Sequence, residues 1–185
     1  MKEKPFWIFG VVLLIAFLSH SPATAGAQAA FRGRLFTSGA VAAVVNVAID
    51  IKSYSTEEEF LLLQRHYSSN DFDGFYGAFR RMKKGALRFI GSMGLNISFN
   101  AAQEKLTDRG VQIFLVTESR SAEPGVKRMR VVRFRFLVVI LDLDKDFKGE
   151  GTIYEDAQVE FTRQGIEMGT SYSMPKKIVN LQIVK

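Results

Sequence analysis

Read from residue 40 onward, the chain alternates between two hydrophobic periods. Val45, Val47, Ile49 and Ile51 alternate with Asn46, Ala48, Asp50 and Lys52, the period-2 pattern of a half-buried strand. The run stops at Ser53-Tyr54-Ser55. Thr56 followed by Glu59 then has capping-box spacing, with Glu57 to Glu59 suited to the positive end of a helix dipole. A helix is expected there, with Phe60, Leu63 and Tyr67 on one face. After Ser68 to Asn70, a second helix is marked by the stripe Phe72, Phe75, Tyr76, Phe79 and Met82. Gly85 is placed to end it as a C′ glycine.

Everything after Gly85 reads as β. Leu87 to Asn100 is one long strand, with Gly91 and Gly94 marking a bend or bulge. Asp108-Arg109-Gly110 turns the chain into Val111 to Glu118, and Ser119 to Arg128 is a longer loop. Arg130 to Asp144 alternates at first and is continuously apolar from Leu137 to Leu141, which implies cover on both faces. Ile153 to Phe161 alternates again. Two shorter strands follow, one on Ile166, Met168, Thr170, Tyr172 and Met174, the other on Val179, Leu181 and Ile183, separated by Pro175. The expected class is α+β: a curved antiparallel sheet or partial barrel of about seven strands, with two helices inserted after the first strand, in the order β-α-α-β-β-β-β-β-β. Short connections favour antiparallel neighbours, and the helices are expected to cover the open side of the sheet. Helix-grip folds share this chain order, although their C-terminal helix is missing here.

The start of the chain has a different character. Lys2 and Lys4 precede the uncharged run Phe6 to Leu18, and small residues around Ser21 to Ala25 supply an A-x-A cleavage position. Residues 1–25 are therefore expected to be a secretory signal peptide. The run is shorter than the roughly 20 residues a membrane-spanning helix needs, so no transmembrane span is expected after cleavage. Residues 26–39 carry no clear apolar period and are expected to form a flexible arm, leaving residues 40–185 as a single α+β domain. The expected location is periplasmic or extracellular.

Composition narrows the chemistry. At 185 residues with 47% hydrophobic and 24% charged positions, a folded domain is expected rather than a disordered chain. There is no cysteine, so an exported domain of this kind must be held by packing alone, and thiolate chemistry and every Cys-containing zinc site are excluded. Of the two histidines, His20 lies in the expected signal, which leaves His66. It has no G-x-S-x-G partner and reads as a surface residue near a helix end. The formal charge of +6 fits an anionic envelope partner or simple solubility.

The cations fall into two segments: Arg80, Arg81, Lys83, Lys84 and Arg88, then Lys127, Arg128, Arg130, Arg133 and Arg135. If these meet in space they form an anion-binding surface for an envelope polymer or lipid head group; otherwise they are a solvated helix face and an exposed strand face. Nucleic acid is not expected, because the aromatics sit on the apolar faces rather than between the cations. Asp142, Asp144 and Asp146 invite a calcium reading, with Gly149 and Glu155 at EF-hand spacing from Asp144. Lys148 occupies a ligand position, and a charged hairpin tip accounts for the same residues. Paired carboxylates among Glu118, Asp142, Glu155 and Glu160 would suit a small cofactor-free hydrolase or isomerase. The 16 phenylalanines either fill one core or line a concavity for a hydrophobic small molecule. No cofactor is implied.

Three segments carry a resemblance: Ile51 to Glu59, Leu115 to Arg120, and Leu141 to Gly151. Together they resemble a group of uncharacterised exported bacterial proteins with no assigned activity. The resemblance implies export and a shared fold, and transfers no functional residue. The leading expectation is a non-catalytic exported binding or interaction module; a carboxylate enzyme and a structural envelope protein are the alternatives.

Overall fold

The computed structural model describes residues 29–37, 43–91, 96–119 and 135–184. The elements are β1 (Ala29–Thr37), β2 (Ala43–Ile51), α1 (Glu57–Ser68), α2 (Phe72–Phe79), β3 (Gly85–Phe89), β4 (Asn96–Phe99), β5 (Ala101–Thr107), β6 (Gly110–Glu118), β7 (Phe136–Asp144), β8 (Lys148–Thr162), β9 (Gly165–Ser171) and β10 (Lys176–Ile183). Ten strands form one antiparallel sheet in the order β4-β3-β2-β1-β10-β8-β7-β6-β5, with β9 paired to β8. The α+β class and the curved antiparallel sheet hold; the strand count and the position of the helices do not. Residues 29–37, expected in a flexible arm, form β1, so the helices follow the second strand. Residues 96–99 turn back on 85–89 as a separate strand, and 101–107 add another.

The two ends of the strand path are consecutive in the chain. Only Asn100 separates β4 from β5, so one bent segment supplies both edges and the sheet curls around its interior. Asn100 holds the bend: its N–H donates to the Val116 carbonyl at 2.9 Å, its Nδ2 donates to the Met82 carbonyl at 2.9 Å, and its Oδ1 accepts from Thr117 Oγ1 at 2.8 Å.

Two apolar layers follow from the alternation of β6 and β7. Val111, Ile113 and Leu115 of β6 and Leu137, Val139 and Leu141 of β7 face the inside of the curve, where they meet Phe31, Ile49, Leu87 and Phe99. Phe114, Val116, Phe136 and Val138 face the opposite way and are covered by α1 and α2. The two-sided cover expected for β7 is therefore present. The helices do not close the open side of the sheet as expected; they lie on the face opposite the enclosed interior.

At the centre of the helical layer Phe75, Phe79, Phe136 and Phe161 are each 0–1% exposed. Their ring centroids lie 5.5–6.0 Å apart, mostly edge to face, the geometry that aligns ring quadrupoles favourably. The capping box at α1 forms as its spacing predicts: Thr56 accepts from Glu59 N–H and Glu59 accepts from Thr56 N–H. Helix α2 ends at Arg80 instead of Gly85. Gly85 begins β3, where a Cβ would lie 2.2 Å from the Asp50 carbonyl oxygen, so its role is close strand approach rather than helix termination. No helix among the described residues is long and apolar enough to cross a membrane.

Candidate functional site

The cations singled out from the sequence do not form one free surface among the described residues. Arg80 is fixed by a bidentate pair to Glu118, at 2.9 Å from Nε and 2.8 Å from Nη2, and that carboxylate holds the guanidinium pKa above its ordinary value. Lys84 is buried, with its Nζ 2.7 Å from Glu59 Oε1. Arg88 pairs with Asp50 at 2.5 Å and Arg135 with Asp156 at 2.7 Å. The two basic segments do approach each other, since Glu118, the partner of Arg80, pairs in register with Phe136 next to Arg135. What they build there alternates in sign. Arg81 and Lys83 are exposed on the α2–β3 turn. Lys127, Arg128, Arg130 and Arg133 lie outside the described residues, as does the expected signal segment.

Two aspartates of the calcium reading, Asp142 and Asp144, accept hydrogen bonds within the sheet and its hairpin. Asp142 Oδ1 accepts from Gln112 Nε2 at 2.6 Å. Asp144 Oδ1 accepts from the Asp146 and Lys148 amides at 2.9 Å each, closing the β7–β8 hairpin, with Phe147 at φ 57°. Because β7 stops at Asp144, Asp146 does not continue its face. Among the described residues no group of three or more His, Asp or Glu side chains could hold a metal ion. The strand-borne carboxylates are likewise committed: Glu118 to Arg80 and Glu155 to Lys176, while Glu160 faces Glu167 across β8 and β9. His66 Nδ1 meets Asp71 Oδ2 at 2.7 Å, and Asp71 also caps α2 through the Gly74 N–H. This joins the end of α1 to the start of α2.

A different cation group emerges from the pairing of the chain's two ends. Strand β1 runs between β2 and β10, and Phe31 and Leu35 point into the core while Arg32, Arg34 and Phe36 point out. Strand β10 carries one extra residue: Arg34 pairs with Val179 and Arg32 with Gln182, and on the other side Ile178 pairs with Gly151 and Leu181 with Gly149. The excess sits at Asn180, in the left-handed region at φ 53°. This bulge moves one inward position of β10 from the expected Val179 to Ile178, while Leu181 and Ile183 face inward as expected. Opposite it, a Cβ on Gly33 would approach Ile178 Cγ2 and Leu181 Cδ2 to 2.9 Å, so glycine lets the bulged strand seat against β1.

The bulge opens a surface groove of about 580 Å³ lined by Arg32, Arg34, Asn46, Lys148, Asn180 and Gln182, together with Gly33, Gly149 and Leu181. Among the described residues no carboxylate lines it. Arg32, Arg34 and Lys148 are exposed and make no ion pair among the described residues. Cations of β1 and β8 thus converge over neutral amide donors. An adjoining groove on the β7 side shares Lys148 and Gly149 with it and is lined by Asp108, Asp142, Asp144 and Glu150 together with Arg109 and Lys177. No protein-family model, curated protein or solved structure matches this chain. The groove and its chemistry therefore carry the functional reading.

The interior offers a contrast. Phe31, Val47, Ile49, Leu87, Phe99 and Leu115 are at most 1% exposed and fill the curve of the sheet with side chains. Apolar volume inside the curve is taken by the protein's own residues.

Proposed function

We propose that the protein is a non-catalytic exported binding module that recognises an anionic envelope component through the groove at the β10 bulge. The ligand chemistry is phosphate or carboxylate groups repeated along a polymer or displayed on lipid heads. The observation that carries this reading is the convergence of Arg32, Arg34 and Lys148 in one groove where, among the described residues, none has an ion-pair partner and no carboxylate joins the lining. Like charges held together cost free energy in the unliganded protein, and an incoming anion relieves that cost while accepting directed N–H donors. Asn46 and Gln182 add neutral donors at the same surface.

Export is part of the proposal and rests on the character of residues 1–25. A folded domain without cysteine, held by two apolar layers, suits an oxidising compartment without needing disulfides. Titration calorimetry with inorganic polyphosphate tests the reading. Binding is expected at low ionic strength, weakening as salt shortens the Debye length, and weakening again in Arg32→Gln/Arg34→Gln/Lys148→Gln. A triple variant that binds polyphosphate as tightly as the wild type would refute it.

A further inference from the structure

Resting on the polyanion reading above, we propose that the anions recognised are those of a lipid bilayer, and that the exposed Phe36–Val44 pair enters it while the cations of the same face grip the head groups. The outer face of β10, β1 and β2 is a grid of registered rows. Lys177, Phe36 and Val44 form the row nearest the β1–β2 connection; Val179, Arg34 and Asn46 form the next; Gln182, Arg32 and Ala48 form the third, with Lys148 beside Gln182. Phe36 is 47% exposed and Val44 is 55% exposed.

Single exposed apolar residues are ordinary on a protein surface. These two are direct cross-strand neighbours at one end of a face that carries the cations Arg32, Arg34 and Lys177, with carboxylates at its margins in Asp50 of β2 and Glu150 of β8. Lys177 flanks the pair; among the described residues its Nζ donates to the neutral hydroxyl of Thr152 at 2.9 Å, and it also borders the groove lined by Asp142, Asp144 and Glu150. The first carboxylate on the β2 side, Asp50, is held by Arg88. A soluble anionic polymer would engage Arg32, Arg34 and Lys148 and leave Phe36 and Val44 in water. A bilayer uses both.

The spacing fits the layered chemistry of a membrane surface. Rows two residues apart along a strand are separated by about 7 Å. Apolar side chains of interfacial proteins reach about 5–10 Å into the head-group and acyl boundary. With Phe36 and Val44 at that depth, Arg34 stands at the level of the lipid phosphates, Lys177 in the inserted row reaches that level along its flexible stem, and Arg32 and Lys148 stand one row further out. Helices α1 and α2 cover the opposite part of the sheet, around β6 to β9, and do not obstruct this approach.

The test uses the protein as recovered from cells expressing the whole chain, with vesicles of phosphatidylcholine alone or mixed with phosphatidylglycerol, in a flotation assay. Phosphatidylglycerol-dependent binding is expected, falling about fivefold for each of Arg34→Gln and Lys177→Gln. Phe36→Ser/Val44→Ser is expected to lower vesicle affinity by at least about tenfold, from the apolar area no longer buried, while leaving polyphosphate binding unchanged. Both residues are exposed, so the variant is expected to melt like the wild type. If this variant floats as the wild type does, or if the wild type binds polyphosphate but ignores phosphatidylglycerol, the bilayer inference falls and the groove reading stands. If the wild type binds neither, both fall.

Discussion

Lys84 is the residue for which sequence and structure give opposite instructions, and it yields the sharpest test of the fold. In the sequence it belongs to a basic run; in the structure it is buried, with Nζ bonded to Glu59 at 2.6–2.7 Å and to the Tyr54 carbonyl at 3.3 Å. Glu59 serves twice, because the same carboxylate accepts from the Thr56 amide at 2.8 Å to close the α1 capping box. The two partners are not equivalent. Removing Glu59 leaves a buried ammonium without its counter-charge, a loss of about 3–5 kcal/mol, and also removes a cap worth about 1 kcal/mol. Removing the charge of Lys84 leaves Glu59 partly exposed and still bonded to backbone. We therefore expect Glu59→Ala to cost about 4 kcal/mol, Lys84→Met no more than about 1 kcal/mol, and the double variant little beyond the lost cap, a coupling of about 3–4 kcal/mol. Urea unfolding followed by circular dichroism measures all four species. Equal single costs that simply add in the double variant would refute the placement of Lys84 and return it to the solvent.

Three further expectations follow from the same packing. Phe79→Ala removes the ring that touches Phe75, Phe136 and Phe161, and is expected to destabilise by about 3–5 kcal/mol in the same unfolding experiment. Gly85→Ala drives a Cβ into the Asp50 carbonyl and is expected to lower the melting temperature while freeing the β2–β3 amides to hydrogen exchange; full protection there would contradict the pairing. Asp71 has its carboxyl pKa held below the usual range by the Gly74 N–H first and His66 second, so its stabilising contribution is present above the ordinary carboxylate pKa and is lost as pH falls through the depressed folded value. The stability gap between wild type and Asp71→Ala is expected to close over that acid window, and a gap independent of pH would sink the assignment.

What could be read from the sequence divides by the range of the interactions involved. The capping box at Thr56, the stripe on Phe75 and Phe79, and the two-sided apolar run in β7 are local patterns, and each forms where its spacing says. Strand β1 has the right period, with Phe31 and Leu35 inward and Arg32 and Arg34 outward. Its central inward position is Gly33 and an outward one is Phe36, so the pattern looks irregular until β10 is placed beside it. Strand β5 is obscured for another reason: at the Asn100 bend Ala101 and Ala102 are both buried, on opposite sides, which cancels alternation at its start. The groove was illegible on both counts. Its cations come from β1 and β8, are brought together only by β10 between them, and depend on a bulge at Asn180 that no local signal marks. The signal that existed was Arg-Gly-Arg between two large apolar residues.

The distribution of cover over the sheet connects these points to function. Outward positions of β6 and β7 are large and apolar, Phe114, Val116, Phe136 and Val138, and two helices bury them. Outward positions of β1 and β2 include Arg32, Arg34, Asn46 and Asp50, which no element among the described residues covers; beside the small Ala30 and Ala48, Phe36 and Val44 are the large apolar residues there. A helix that packed on the second group would have to strip water from cations that have no ion-pair partner among the described residues, at a cost far above the gain from two apolar side chains. The fold therefore places its apolar outer face under the helices and leaves its cationic one in solvent. Phe36 and Val44, 47% and 55% exposed within that face, have no fully buried role in the isolated chain. Their pairing across β1 and β2 acquires one when the face meets a surface that is itself anionic at the top and apolar beneath, which is why the serine pair, rather than another removal of charge, decides between a membrane and a polymer.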